Sequence, residues 1–363
     1  MTTPAADPGP AGVGSLVGRR PQVPAARLLA ELVPPRHFAG ESFDTFVPDP
    51  AFGSQQGALA RLRAVAREID QGRDGRAGAR AGRSWFGARR RAEPPAVYLD
   101  GGFGVGKTHL LASLAHAVGP SRAAYGTFVE FTNLVGALGF APTVEALATK
   151  RLVAIDEFEL DDPGDTVLMS RLLRELADRG VALAATSNTL PESLGEGRFA
   201  AEDFLREIQA LAARFEVLRI DGEDYRHRSA SSDVVAGADD DVDARVRRTA
   251  GATLDDFGEL VAHLAQVHPS RYGALLDGVT LVGLTGVGPV DDESAALRLV
   301  VLVDRLYDRD VPVLLGAGAG EAEGAGTGVI HLFAPAMLTG GYRKKYYRTL
   351  SRLSTLSQAS AMP

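Results

Sequence analysis

The chain has 363 residues, 45% of them hydrophobic and 23% charged, enough to bury a full core and to build two domains of ordinary size. A formal net charge of -7 and a pI near 5.6 argue against a surface that grips nucleic acid over its whole extent, and leave only a local basic patch for that purpose. With no cysteine there is no disulfide, thiolate metal site or cysteine nucleophile, which fits a reducing interior and makes the cytoplasm the expected location.

Residues 1–22 are rich in Pro, Gly and Ala and carry no apolar period, so they read as a disordered leader without the features of a secretory signal. No later segment reaches the roughly 18 apolar residues of a spanning helix, so any membrane contact is expected to be peripheral. Residues 23–70 form a preamble in which Phe43, Phe46 and Phe52 punctuate a turn-rich stretch and residues 58–69 have helical spacing. Residues 71–95 make an Arg/Gly-rich insertion, with seven arginines between 71 and 93 and Trp85 and Phe86 in their midst. It reads either as a solvated flexible loop or as an arm for anionic lipid or nucleic acid.

From 96 to 228 short apolar runs alternate with helical stretches, the pattern of a parallel sheet covered by helices. The expected strands are 96–100, 125–131, 152–156, 181–186 and 215–220. The expected helices are 107–118, 132–149, 165–179 and 201–214. Residues 229–250 lose the apolar period and read as a linker. A smaller C-terminal α+β domain, 251–363, opens a helix at 254–260, has a strand at 278–284 and carries a strongly apolar run at 295–307.

The run Gly101-Gly102-Phe103-Gly104-Val105-Gly106-Lys107-Thr108 follows a strand and opens a helix, the context a P-loop requires. Its glycines let backbone N–H groups wrap phosphates while the helix N-terminus adds partial positive charge. These residues and the following His109 are the expected nucleotide contacts, with Lys107 reaching the β- and γ-phosphates and the Thr108 hydroxyl on magnesium. As metal ligands, His109 and His116 have no companion set and read as packing or surface residues.

At the end of the third strand an apolar run meets Asp156 and Glu157. With strands one and three taken as neighbours, both carboxylates fall beside the P-loop. Asp156 would hold magnesium and Glu157 would take a proton from the attacking water; a helix cap is the plain alternative. Asn188 ends the fourth strand where its amide can orient the nucleophile.

With these residues in place the chain resembles the AAA+ ATPases, and among them the ZapE/Afg-type family. Five stretches carry the resemblance: PAVYLDGGFGVGKTHLLASL; RLVAIDEFELDDPGDTVLMSRLLRELADRGVALAATSNTLPESL, with Asp162 and Asp165; RIDGEDYRHR; ALRLVVLVDRLYDRDVPV; and YYRTLSRLSTLS. It covers roughly residues 30 to 360. It implies an α/β P-loop NTPase core with a five-stranded parallel sheet in order 5-1-4-3-2, ATP and Mg2+ as cofactors, hydrolysis of ATP, a homo-oligomer, and a role at the bacterial division ring through the tubulin-like FtsZ. Carried over by position, Asp156 and Glu157 form the Walker B pair and Asn188 is the first sensor.

The family's arginine-rich stretch after the sensor strand is replaced here by GRFAAEDFLREI, so Arg198 stands as the candidate arginine finger with Arg206 beside it. Arg298 and Arg352 are candidate second sensors, although helical spacing equally makes Arg348 and Arg352 one exposed face. Asp224-Tyr225-Arg226 reads as a structural pin. GKTHLLASLAHA also resembles helicase loaders, an alternative that the negative net charge and the C-terminal stretches oppose. A slow nucleotide-gated adaptor is the third reading, motivated by the displaced arginine.

Overall fold

The computed structural model describes residues 13–78, 93–102, 104–158, 163–188, 212–223, 234–317 and 329–361. The chain divides into two compact units, residues 24–229 and residues 1–23 with 230–363.

The first unit opens with α1 (Ala25–Ala30) and α2 (Gly53–Gly78), so the preamble helix runs past residue 70 into the expected insertion. Trp85, Phe86 and the arginines around them lie outside the described residues. The core follows as β1 (Ala96–Gly101), α3 (Lys107–Val118), β2 (Ala123–Thr127), α4 (Phe128–Leu138), α5 (Phe140–Leu147), β3 (Leu152–Asp156), α6 (Pro163–Asp178), β4 (Ala182–Ser187) and β5 (Glu216–Ile220). The expected helix at 201–214 falls mostly outside the described residues.

The sheet is all-parallel in order β2-β3-β4-β1-β5, the arrangement that the resemblance implied. β4 therefore lies between β1 and β3, and the expectation that strands one and three are neighbours is wrong. The crossover after β3 returns through α6 to place β4 against both, a long-range choice that no local pattern in either strand encodes. β3 is buried along its whole length, with Leu152, Val153, Ala154 and Ile155 all at 0% exposure. That suits a central strand covered on both faces.

Two local expectations need correction. The second strand stops at Thr127, not at 131. The Thr127 hydroxyl caps α4 by accepting from the Glu130 N–H while the Glu130 carboxylate accepts from the Thr127 N–H, a capping box that commits residues 128–131 to helix. The helix expected over 132–149 is two helices broken at Gly139, whose φ of 85° an ordinary side chain would resist.

The second unit contains β6 (Val234–Val235), β7 (Gly237–Ala238), α7 (Asp239–Val246), β8 (Ala252–Asp256), α8 (Phe257–Leu264), α9 (Tyr272–Leu275), β9 (Leu281–Thr285), α10 (Glu293–Asp308), β10 (Val313–Ala317), β11 (Val329–Ile330) and α11 (Arg343–Ala361). Its main sheet, β7-β10-β9-β8, is also parallel, and β11 pairs with β6 antiparallel. Much of the stretch expected as a linker is thus structured, with Val242 and Val246 of α7 packed on Ala252 and Leu281. Residues 252–256, of which 254–256 were expected to open a helix, are strand, and the helix begins at Phe257 after the Asp256 cap.

Part of the expected leader is structural. Leu16 is fully buried in this unit, Gly14 bridges to Thr253 beside β8, and the Asp255 carboxylate accepts from the N–H groups of Leu16 and Val17. A single added edge segment has no periodicity to announce it. Residues 1–12 lie outside the description.

Candidate nucleotide site

β1 delivers the loop and α3 receives it. Gly101 ends the strand against β5 so closely that a Cβ there would sit 2.2 Å from the Ile220 carbonyl oxygen. Gly106 has φ 91°, and a Cβ on it would lie 2.5 Å from Cε2 of Phe46. Crowding demands glycine at both positions, and at Gly106 the backbone conformation demands it as well. Val105 is buried against Gly222, where a Cβ would come within 2.8 Å of its Cγ1. Phe103 is outside the described residues. With Lys107 as the first residue of α3, the N–H groups of the first helical turn point toward the loop.

The Lys107 ammonium donates to the carbonyls of Gly101, at 2.8 Å, and Gly102, and to Oδ1 of Asn188 at 2.7 Å. The first-sensor candidate and the loop lysine therefore meet across the β1–β4 pair. The Thr108 hydroxyl lies 3.4 Å from Oδ1 of Asp156, joining α3 to the end of β3. Although β4 separates β3 from β1, the carboxylate still reaches the loop, because α3 spans the strand ends.

Asp156 is buried and heavily supported. Tyr125 donates to its Oδ2 at 2.8 Å, the Thr186 hydroxyl donates to Oδ1, and the Glu157 N–H reaches Oδ1 at 3.1 Å. Burial pushes this carboxyl above its ordinary range and the adjacent Glu157 adds to the rise, opposed by the hydroxyls of Thr186, Tyr125 and Thr108. Burial, with Asp156 close by, likewise holds the Tyr125 phenol well above its usual value.

Glu157 adopts φ 53°, a left-handed conformation rare for a glutamate. It is locked there by its N–H, which also bonds Oγ1 of Thr186 at 3.0 Å, and by the Phe158 N–H, which bonds the Thr186 carbonyl at 2.7 Å. Backbone strain of this kind is held by its surroundings and turns the side chain out of the strand line. The sequence does not single out Tyr125 and Thr186; Thr186 alone has a signal, as a polar residue that with Ser187 ends the apolar run of β4.

A further acid, Asp100, sits just before the loop at 5% exposure and accepts from Arg219 at 3.2 Å. Burial raises its carboxyl, with Arg219 and Lys107 opposing. The preamble also reaches the site. His109 turns its ring to the segment 41–46, with Nε2 3.1 Å from the Ser42 carbonyl and 3.1 Å from the Thr45 hydroxyl, and its ring edge-on to Phe46. Its side chain is thus engaged away from the loop, which leaves only its backbone N–H for a nucleotide. His116 Nδ1 lies 2.7 Å from the Glu41 carbonyl, a packing role. Gln55 ties α2 to the end of β5 by donating to the Asp221 carbonyl at 2.8 Å.

The residues fit both expected groups. A glycine-lined loop with an ammonium over it suits a polyphosphate, and a hydroxyl beside a buried carboxylate supplies the hard oxygen donors that Mg2+ takes alongside phosphate and water. Arg198, Arg206, Asp162 and Asp224-Tyr225-Arg226 lie outside the described residues.

Two arginines of the second unit depart from the exposed-face reading. Arg352 and Arg348, read as one exposed face, both donate to Asp304 on α10, Arg348 at 3.2 Å, and Arg352 also stacks over Tyr307. Burial pushes the Asp304 carboxyl up, but the two guanidiniums outweigh it and hold it below the ordinary aspartate range. Arg298 donates to the Ser294 hydroxyl one turn earlier on its own helix.

A family model described as AFG1-like ATPase matches residues 22–244 and 230–362. Cell division protein ZapE of Escherichia coli (strain K12) is 28% identical over 193 residues, covering 48% of this chain and 52% of that protein. An uncharacterised Schizosaccharomyces pombe protein is 26% identical over 164 residues, covering 39% of this chain and 35% of that one. The chain thus spans about half the length of the ZapE relatives it matches, or less for the yeast protein. Among solved structures, the DnaC helicase loader has a TM-score of 0.34 at 16% identity over 51% of this chain and 99% of that one. Domain III of Thermotoga maritima DnaA has a TM-score of 0.35 at 21% identity over 52% of this chain and 69% of that one. Likeness at that level has no bearing on function. The family match covers nearly the whole length, and the chain belongs to the AFG1-like ATPases.

Proposed function

We propose that this protein binds ATP on the Gly101–Thr108 loop and hydrolyses it, as a homo-oligomer in the cytoplasm, to regulate or remodel the bacterial division ring. The observation that carries the reading is the convergence of Lys107, Thr108, Asp156 and Asn188 at the ends of three strands, with Glu157 held in a left-handed turn beside them. A bare P-loop holds nucleotide. A carboxylate beside it can act as a base on water.

Lys107 exchanges its bonds to the loop carbonyls for the β- and γ-phosphates, and the loop N–H groups enclose them. Thr108 and Asp156 would hold magnesium, which would neutralise phosphate charge. Glu157 accepts a proton from the attacking water. Asn188, tethered to Lys107 through Oδ1, keeps its amide donors for that water or the γ-phosphate. Arg198, or an arginine supplied by a neighbouring copy, provides the cation for the transferring phosphoryl group.

The link to division rests on the name of the Escherichia coli relatives, which makes an FtsZ filament the first client to test. Among the described residues no helix is long and apolar enough to cross a membrane. The test is co-sedimentation of the Glu157→Gln protein with polymerised FtsZ, with ATP and with ADP. Retention that depends on ATP supports the client. Equal recovery with both nucleotides, or none with either, removes it.

A further inference from the structure

The second unit repeats the topology of the first. β1-α3-β2-α4-β3-α6-β4 gives a parallel sheet β2-β3-β4-β1, and β7-α7-β8-α8-β9-α10-β10 gives a parallel sheet β8-β9-β10-β7. The agreement extends to single hydrogen bonds. Thr127 and Asp256 each end a strand and cap the next helix by accepting from Glu130 and Glu259, three residues on. The outer edge of each sheet is covered alike, Tyr125 N–H bonding the Leu32 carbonyl at 2.9 Å and Leu254 N–H bonding the Gly14 carbonyl at 3.0 Å.

After β3, Glu157 has φ 53° and the Phe158 N–H bonds the Thr186 carbonyl of β4. After β9, Gly286 has φ 63° and the Val287 N–H bonds the Gly316 carbonyl of β10. Before β4 and β10, Val181 bonds back to Leu176 and Val311 to Leu306, both at 3.0 Å, past Gly180 and Asp310 in the same positive-φ turn. Caps and positive-φ turns of these kinds are common in α/β units; here they recur at matching positions and in the same order in both units.

The two units differ where phosphate chemistry would lie. The pairing of Gly316 with Gly237, set beside that of Thr186 with Leu99, brings Asp239 to the position of Gly101. In the first unit Gly102 to Gly106 intervene before the helix; in the second, α7 starts at Asp239 directly after Ala238. The phosphate loop is missing. The Asp239 carboxylate lies at the strand ends instead, 3.1 Å from the Gly286 N–H, and a Cβ on Gly316 would fall 2.2 Å from its Oδ1. Asp156 and Glu157 are replaced by Thr285 and Gly286. Asp240 and Asp241 add negative charge to the first turn of α7, where an anion would otherwise be welcome.

We infer that the second unit is a duplicate of the nucleotide-binding unit that has exchanged its phosphate loop for the Asp239 carboxylate, so that its crevice is closed to phosphate and each chain holds a single nucleotide. The reference signal for testing this rests on the proposed nucleotide site in the first unit. Equilibrium dialysis of the full chain against Mg2+ and ATPγS, with hydrogen exchange at saturation, reads stoichiometry and location together. One equivalent per chain is expected, with slowed exchange over 101–110, unchanged exchange over 237–246, and no saturable binding in Lys107→Ala. Two equivalents, or one retained by Lys107→Ala with protection over 237–246, would overturn the inference. No binding by the unmodified chain would sink the proposed site in the first unit while agreeing with a closed second crevice.

Discussion

Gly106→Ala is the substitution whose effect follows most closely from the geometry. At φ 91° the new side chain would occupy a left-handed conformation, which costs an L-residue about 1–2 kcal/mol. Its Cβ would also fall 2.5 Å from Cε2 of Phe46, so the loop or the aromatic ring must move. In the absence of nucleotide the loop relaxes away from that strain, and binding must restore it. The dissociation constant for ATP should therefore rise about 5- to 30-fold from the backbone component alone.

Phe46→Leu removes the ring carbons that clash while keeping an apolar side chain at a site only 9% exposed. In the Gly106→Ala background it should recover the steric part of the loss and leave the conformational part, a coupling that a double-mutant cycle isolates. Titration of all four proteins with a fluorescent ATP analogue measures it. Unchanged affinity in Gly106→Ala, or strictly additive losses in the double variant, would refute the placement of Phe46 over the loop.

Other consequences are open to measurement. Leu16→Ala should destabilise the C-terminal unit by about 2–5 kcal/mol, since the side chain is fully buried; a thermal melt equal to the unmodified chain would return residues 13–22 to the status of a leader. Asp304→Asn should cost about 1.5–3 kcal/mol near neutral pH, because Arg348 and Arg352 lose a charged acceptor. The folded-state pKa of Asp304 is depressed, so its contribution is full above the ordinary aspartate range and fades as pH falls through the lower folded value. Acid unfolding should accordingly be shallower in Asp304→Asn, and identical pH profiles would count against the pair. Tyr125→Phe leaves Asp156 without its Oδ2 donor and should weaken Mg2+-dependent ATP binding more than binding measured in EDTA; equal losses in both would assign Tyr125 to packing alone.

Elements with strong local signals were legible in the sequence. Lys107–Val118 is legible as a helix because glycines precede it and apolar spacing fills it, and β3 as a buried strand because its apolar run is short and ends directly in two acids. The end of β2 is also written in the chain, as the Thr127 to Glu130 spacing of a capping box, but Phe128, Val129 and Phe131 carry strand propensity over the same residues.

Other features depend on groups far apart in sequence. The insertion of β4 between β1 and β3 is a property of the crossovers, and the pairing of Arg348 and Arg352 with Asp304 requires two helices to be packed first. Likewise, the hydroxyls of Tyr125 and Thr186 meet at Asp156 only after three strands align. Residues with roles in such convergences look unremarkable singly.

The central claim is that this chain turns ATP over at the site built from β1, β3 and β4. Steady-state hydrolysis by the purified full chain with Mg2+, beside Glu157→Gln and Lys107→Ala, tests it most directly. Glu157→Gln should keep nucleotide binding while turnover falls by about a hundredfold or more, and Lys107→Ala should lose both. Hydrolysis by Glu157→Gln at the unmodified rate, or normal ATP binding by Lys107→Ala, would contradict the account.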